Sequence, residues 1–212
     1  AQKINANAEL GDTIKVEIHS KEFGRIATQN AKNVILQKIR EEERRILYDQ
    51  YYGMEKEVVT GIVQRVMGRN VSVNLGKADG ILSENEQVKG EEFEPTQRIK
   101  VYILEVKETP KGPRILVSRT HPGLVKRLFE SEVAEVRDGT VEIKSIAREA
   151  GSRTKIAVWS NDPDVDPVGA CVGMNGARVN SIVEELNGEK IDIINWDENP
   201  AILIENALSP AK

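Results

Sequence analysis

The residues whose types and spacing most suggest chemistry are Gly173-Met174-Asn175-Gly176, followed at once by Ala177-Arg178-Val179. Glycine at both ends of such a turn lets main chain approach a ligand with no Cβ in the way. A helix opening at Ala177 leaves its first N–H groups without intrahelical partners, facing the same spot. Dipole and donors together favour phosphate there. Arg178, in the first helical turn, adds a charged contact. Val172 leads into the turn. The apolar side of the following helix, with Val179, and the edge of a strand carrying Ile191 and Ile193 would border a groove for unstacked bases. A Gly-x-x-Gly on its own is most often a plain turn, so its weight depends on what surrounds it.

Periodicity supplies that setting. Pro122 suits a first helical position, and Leu124, Val125, Leu128 and Phe129 form an apolar stripe behind it. Residues 140–146 and 155–159 read as strands, 167–172 as a short helix and 177–186 as a longer one. Val179, Ile182, Val183 and Leu186 face inward on that second helix, and residues 190–195 form a closing strand. Helix, strand, strand, helix, turn, helix, strand is the bacterial-type (type II) KH order, in which such a loop clamps a few backbone nucleotides. Upstream, residues 58–66, 71–75, 80–82, 99–106 and 114–118 are five short strands. They are punctuated by Gly68, Gly76, Gly80, Gly90 and the turn Pro110-Lys111-Gly112-Pro113. That pattern predicts a five-stranded barrel of the OB type. Residues 13–18 alternate as another strand, and a long helix runs from near Phe23 to Tyr52, with Gly53 as its stop. Its charge run, Glu41 to Arg45, reads as a solvated face of a connecting helix. A last apolar run, Ala201-Ile202-Leu203-Ile204, opens a further helix after Pro200. The fold class expected is therefore α+β and multidomain: a long connecting helix, an OB-type barrel and a type II KH domain.

Charge sets a limit on how RNA could be held. The formal net charge is -4, and its distribution is uneven. Residues 1–54 carry 9 Lys/Arg and 8 Asp/Glu, residues 55–120 carry 11 and 10, and residues 121–212 carry 10 and 16. No segment is a polycation, so binding cannot rest mainly on bulk counterion release and needs shaped local contacts. On the barrel, Arg69, Lys77, Arg98, Lys100 and Arg114 are the candidate electrostatic contacts, with Arg65 beside them.

Several other signals fail. Asp162, Asp164 and Asp166 alternate like the start of a calcium loop, but Pro167 and Gly173 stand where that loop needs Gly and Glu. Asp166 reads instead as a helix N-cap before Pro167. His19 and His121 with the single Cys171 give no metal-ligand spacing. No phosphate loop of the Gly-Lys-Ser/Thr kind and no nucleophile elbow is present. The expectation is a non-enzyme without metal or cofactor. Cys171 reads as core, and one cysteine fits a reducing cytoplasm. No apolar run approaches a membrane span, and a start at Ala1 without Met is that of an excised or processed piece.

The sequence resembles the NusA family of bacterial transcription elongation, termination and antitermination factors. The stretches that carry the resemblance are FGRIATQNAKNVI (23–35), SRTHPGLVKRLF (118–129), DGTVEIKSIAREAGSRTKIAV (138–158), DPVGACVGMNGARV (166–179), GEKIDII (188–194) and NPAILIENALSPAK (199–212). The resemblance implies a domain plan: 1–54, the end of a polymerase-binding N-terminal domain; 55–120, a barrel of the ribosomal-protein S-one type; 121–200, a first KH domain; 201–212, the start of a second, most of it absent. It implies two partners, single-stranded nascent RNA and RNA polymerase, for a monomeric cytoplasmic factor. Two positions depart from the family pattern. Asn175 stands where a basic residue is usual, which weakens the phosphate grip. The second and third barrel strands carry no aromatic residue for base stacking. Two other readings stay open. One is an accessory region of an RNA-degrading enzyme, since polynucleotide phosphorylase carries the same two domain types in the opposite order. The other is a protein-interaction scaffold built on the long helix.

Overall fold

The computed structural model describes residues 24–209. It divides into two compact units, residues 1–43 and 44–212. The described part of the first unit is the start of helix α1 (Arg25–Tyr52). Ile26, Val34, Ile35 and Ile39 are exposed on it. Gln29 donates to Asn33 and Gln37 to Glu41, each one turn on, while Lys38 pairs with Glu41. Such pairs add only a few tenths of a kcal/mol each. The strand expected at 13–18 lies outside the described residues.

The second unit begins with the last turns of α1. Tyr51 is buried against the barrel, its hydroxyl donating to Leu75 O at 3.0 Å and accepting from Lys77 N. The barrel strands are β1 (Val58–Met67), β2 (Asn70–Asn74), β3 (Asp79–Leu82), β4 (Arg98–Thr109) and β5 (Gly112–Ser118). Hydrogen-bonded neighbours run β1-β2-β3-β5-β4, and β4 pairs back onto β1. All pairs are antiparallel except β3 with β5. The interior is filled by β-branched residues, Val63, Val71, Val73, Val101, Ile103 and Ile115 among them, which is how a chain with so few aromatics closes a small barrel. Packing is tight enough that a Cβ on Gly61 would lie 2.3 Å from Val73 Cγ1.

The remaining elements are α2 (Pro122–Glu132), α3 (Ala134–Arg137), β6 (Val141–Glu149), β7 (Arg153–Ser160), α4 (Pro167–Val172), α5 (Ala177–Glu185), β8 (Lys190–Asn195) and α6 (Pro200–Leu208). The sheet order is β6-β7-β8, with β6 and β7 antiparallel and β7 and β8 parallel. Leu124, Leu128 and Phe129 of α2, Ile182 of α5 and Ile156 and Val158 of β7 share one core. α6 packs on β8, capped at its start by Asn199. Periodicity does not predict α3. At four residues it is too short to show a 3.6-residue repeat. The extended Val133 (φ −112°) separates it from α2.

Barrel and KH elements are joined in the second unit by one buried ion pair, and a second buried pair lies within the KH elements. Arg119, just after β5, is 2% exposed and pairs with Glu91 (Nε–Oε2 2.9 Å). The same guanidinium donates to Lys100 O on β4 (2.8 Å) and to Glu185 O at the end of α5 (3.0 Å). Arg148 of β6 makes a bidentate pair with Glu189 (2.9 and 2.8 Å) and donates to His121 O. The Tyr102 and His121 rings stack at 4.7 Å, and a Cβ on Gly123 would come within 2.6 Å of the tyrosine. Among the described residues no helix is long and apolar enough to cross a membrane.

Candidate nucleic-acid interface

The glycine turn sits between α4 and α5. Asp166 opens α4 by accepting from Val168 N (3.1 Å) and Gly169 N (3.0 Å), with Pro167 at the first helical position. The acidic run before it thus serves a helix start. At the other end, Gly173 adopts φ 74°, ψ 175°, a region that only glycine occupies readily. Its missing Cβ matters twice, because an added one would lie 2.7 Å from Arg178 Cγ. Asn175 (φ 52°, ψ 26°) and Gly176 (φ 78°, ψ 12°) are both left-handed. Asparagine tolerates that conformation better than most side chains. A polar neutral residue at this third position therefore suits the backbone that the turn requires.

The turn presents its middle outward. Met174 is 86% exposed, and Gly176 N donates back to Gly173 O at 3.1 Å. No side chain caps the start of α5. Beside it, Val179, Ile191 and Ile193 lie half-buried against the KH core, with Val168 and Ala170. Val172, Gly173, Met174, Asn175 and Gly176 thus form the link between α4 and α5, while Val179, Ile191 and Ile193 pack on the core that these helices cover. Arg178 is in the first turn of α5, but its guanidinium is already engaged. Nη1 donates to Ala170 O at 2.7 Å and to Glu135 Oε2 at 3.0 Å.

The barrel cations are not gathered into one patch. Arg69 lies in the β1–β2 turn and pairs with Glu84 at 3.2 Å. Lys77 lies in the β2–β3 turn, at the other end of β2, and reaches Gln50. Arg98 and Lys100 are two residues apart on β4, opposite Ile62 and Thr60 of β1. Arg114 is on β5 opposite Lys107. Lys100 alone reaches the KH elements, lining a cleft of about 400 Å³ with Thr60, Arg127 and Arg137.

Two ionisable groups bear on the site's chemistry. Burial pushes the Cys171 thiol up to about 11, with the nearby Glu135 charge adding to the rise, so this cysteine stays protonated and unreactive. Burial would also raise Glu189, but hydrogen bonds from Arg148, Thr154 and Gly151 N outweigh it and hold this carboxylate below its ordinary value. Among the described residues no group of three or more His, Cys, Asp or Glu could hold a metal ion. Local pattern missed Glu135 and Arg119. Their partners lie 43 and 66 residues away for Arg178 and Glu185, so no short-range spacing signals them.

Comparison with known proteins accounts for the chain end to end. A family model described as NusA N-terminal domain matches residues 1–45. One described as S1 RNA binding domain matches 53–118, and one described as NusA-like first KH domain matches 119–196. The chain is 55% identical over its whole length to the transcription termination/antitermination protein NusA of Bacillus subtilis, covering 57% of that protein. It is 54% identical to the Halalkalibacterium halodurans protein of the same name, covering 56% of it. Against that of Thermus thermophilus it is 44% identical, covering 55%. The chain therefore spans about half the length of these relatives. The S1 match falls on the barrel and the KH match on the elements that carry the glycine turn, and the chain belongs to the NusA family.

Proposed function

We propose that this chain is the part of a transcription termination/antitermination factor that holds single-stranded nascent RNA beside RNA polymerase. The observation that carries the proposal is the glycine turn. Its conformation is open only to glycine at Gly173, its middle is exposed, and it lies beside a half-buried apolar strip. In this reading the backbone of residues 173–176 and the first turn of α5 take a phosphodiester, and bases lie over Val172, Val179, Ile191 and Ile193. Arg98 and Lys100 extend the contact toward the barrel, with Arg69, Lys77 and Arg114 adding weaker, salt-sensitive attraction. The action is positional and non-enzymatic, with no cofactor. Holding RNA shifts the balance between hairpin, open strand and paused polymerase. Residues 1–54 supply the polymerase contact, and the chain works as a monomer in the cytoplasm.

The test is binding of short single-stranded RNA to the full chain. Met174→Asp combined with Asn175→Asp puts two negative charges on an exposed turn. Affinity should fall at least about tenfold, while the thermal midpoint stays within a few degrees. Unchanged affinity would sink the proposal.

A further inference from the structure

Arg178 is placed unlike a phosphate ligand. Its stem crosses Gly173 closely, with Cγ and Cδ at 2.7 and 3.0 Å from where a Cβ would stand. Its head donates to Ala170 O, among the last four residues of α4, where carbonyls lack partners inside the helix. Arg178 itself belongs to the first turn of α5. One side chain thus ties the helix that enters the turn to the helix that leaves it. The third attachment is Glu135 on α3, an element outside the groove. Glu135 offers the guanidinium a charge-assisted bond that fixes where it points.

We propose that Arg178 and Glu135 are positioning residues for the glycine turn: α3 holds Arg178, and Arg178 holds the turn in the conformation that receives a phosphodiester strand. The proposal rests on the turn being the RNA grip. It gives a second reason for glycine at 173, since any side chain there would displace the brace as well as strain the backbone. It also gives the four-residue α3 a task beyond packing.

A direct phosphate ligand and a brace behave oppositely. If Arg178 were a ligand held back by Glu135, neutralising Glu135 would free it and tighten RNA binding. If Arg178 is a brace, the same change loosens the turn and weakens binding. Salt dependence separates them again. Loss of one phosphate contact lowers the slope of log K against log salt by about 1, whereas loss of a brace leaves it unchanged.

The experiment measures affinity of the full chain for a short single-stranded RNA across a salt series. The variants are Glu135→Gln, Arg178→Met and Arg178→Lys, with the Met174→Asp/Asn175→Asp variant as reference. The pair is about one-third exposed, so Glu135→Gln should keep its thermal midpoint within about 3 °C. We expect Glu135→Gln to weaken binding about three- to tenfold and Arg178→Met tenfold or more, both with wild-type salt slope. Arg178→Lys should recover part of the loss through Ala170 O. Tighter binding by Glu135→Gln, or a slope reduced by about 1 in Arg178→Met, overturns the brace. Wild-type affinity in both, with a weakened reference variant, overturns the brace and leaves the turn as the grip. An unweakened reference variant overturns both.

Discussion

Replacing Arg119 with Met tests how firmly the barrel and the KH elements are joined. Methionine keeps much of the side-chain volume but none of the donors. It would leave Glu91, whose side chain is 2% exposed, without its cation, and Lys100 O and Glu185 O without their donor. Removing one partner of a buried pair typically costs about 3–5 kcal/mol, because the remaining charge stays buried and uncompensated. For a unit of this size each kcal/mol lowers the midpoint by roughly 2–4 °C, so a fall of about 6–20 °C is expected. Thermal unfolding followed by circular dichroism measures it, and fluorescence of Trp159 and Trp196 reports on the KH part. Adding Glu91→Leu removes the stranded carboxylate and should restore more than half of the loss. A fall of less than about 3 °C in Arg119→Met, or a double variant no more stable than the single one, would refute the reasoning.

Two further outcomes follow from ionisable groups. Glu189 is held below its ordinary value in the folded chain, so the stability it contributes is full above the unfolded carboxyl's pKa, roughly 4.3, and is lost as pH falls through the lower folded value. Urea midpoints between pH 3 and 6 should decline toward acid. Glu189→Gln should be less stable at pH 7 yet flatter below pH 5, and an unaltered acid slope would remove Glu189 from the account. Cys171 is buried and pushed up to about 11. At pH 8 iodoacetamide should label the native chain at least about a hundredfold more slowly than the urea-unfolded chain. Labelling at the rate of a free thiol would show that the α4 core opens readily.

Much of this architecture is visible in the sequence where a local cause decides it. α4 and β8 keep the expected bounds. Asp166 and Pro167 fix the start of the first, and the apolar Ile191, Ile193 and Ile194 mark the second. The hairpin near residue 110 is tighter than the prolines suggest. β4 runs to Thr109 and β5 starts at Gly112, which pairs directly with Thr109. Pro113 is tolerated inside β5 because β3 pairs only with Ile115 to Val117, so its missing N–H costs no bond on that side. The site was legible in its glycine turn and its apolar rim. It was not legible in its charges. Its position in the first helical turn offers Arg178 as a cation free to meet RNA, yet it is committed to Glu135, 43 residues away. Long-range pairing of this kind leaves no period to read.

Helix α5 begins at the glycine turn and ends at Glu185, whose carboxylate accepts from Lys100 N on β4 at 3.1 Å. Nine residues at 1.5 Å each make it a rod about 13 Å long. If the turn grips a nucleotide as proposed, a rod fixed at its other end to a barrel strand acts as a gauge. The spacing between the two ends is set by the helix's backbone hydrogen bonds and a buried arginine, rather than averaged over a hinge. A strand too short to reach from one end to the other gains nothing from the second. One long enough meets it without any search. On that proposal, length is a property of the ligand to which this junction would respond, independently of the bases it carries.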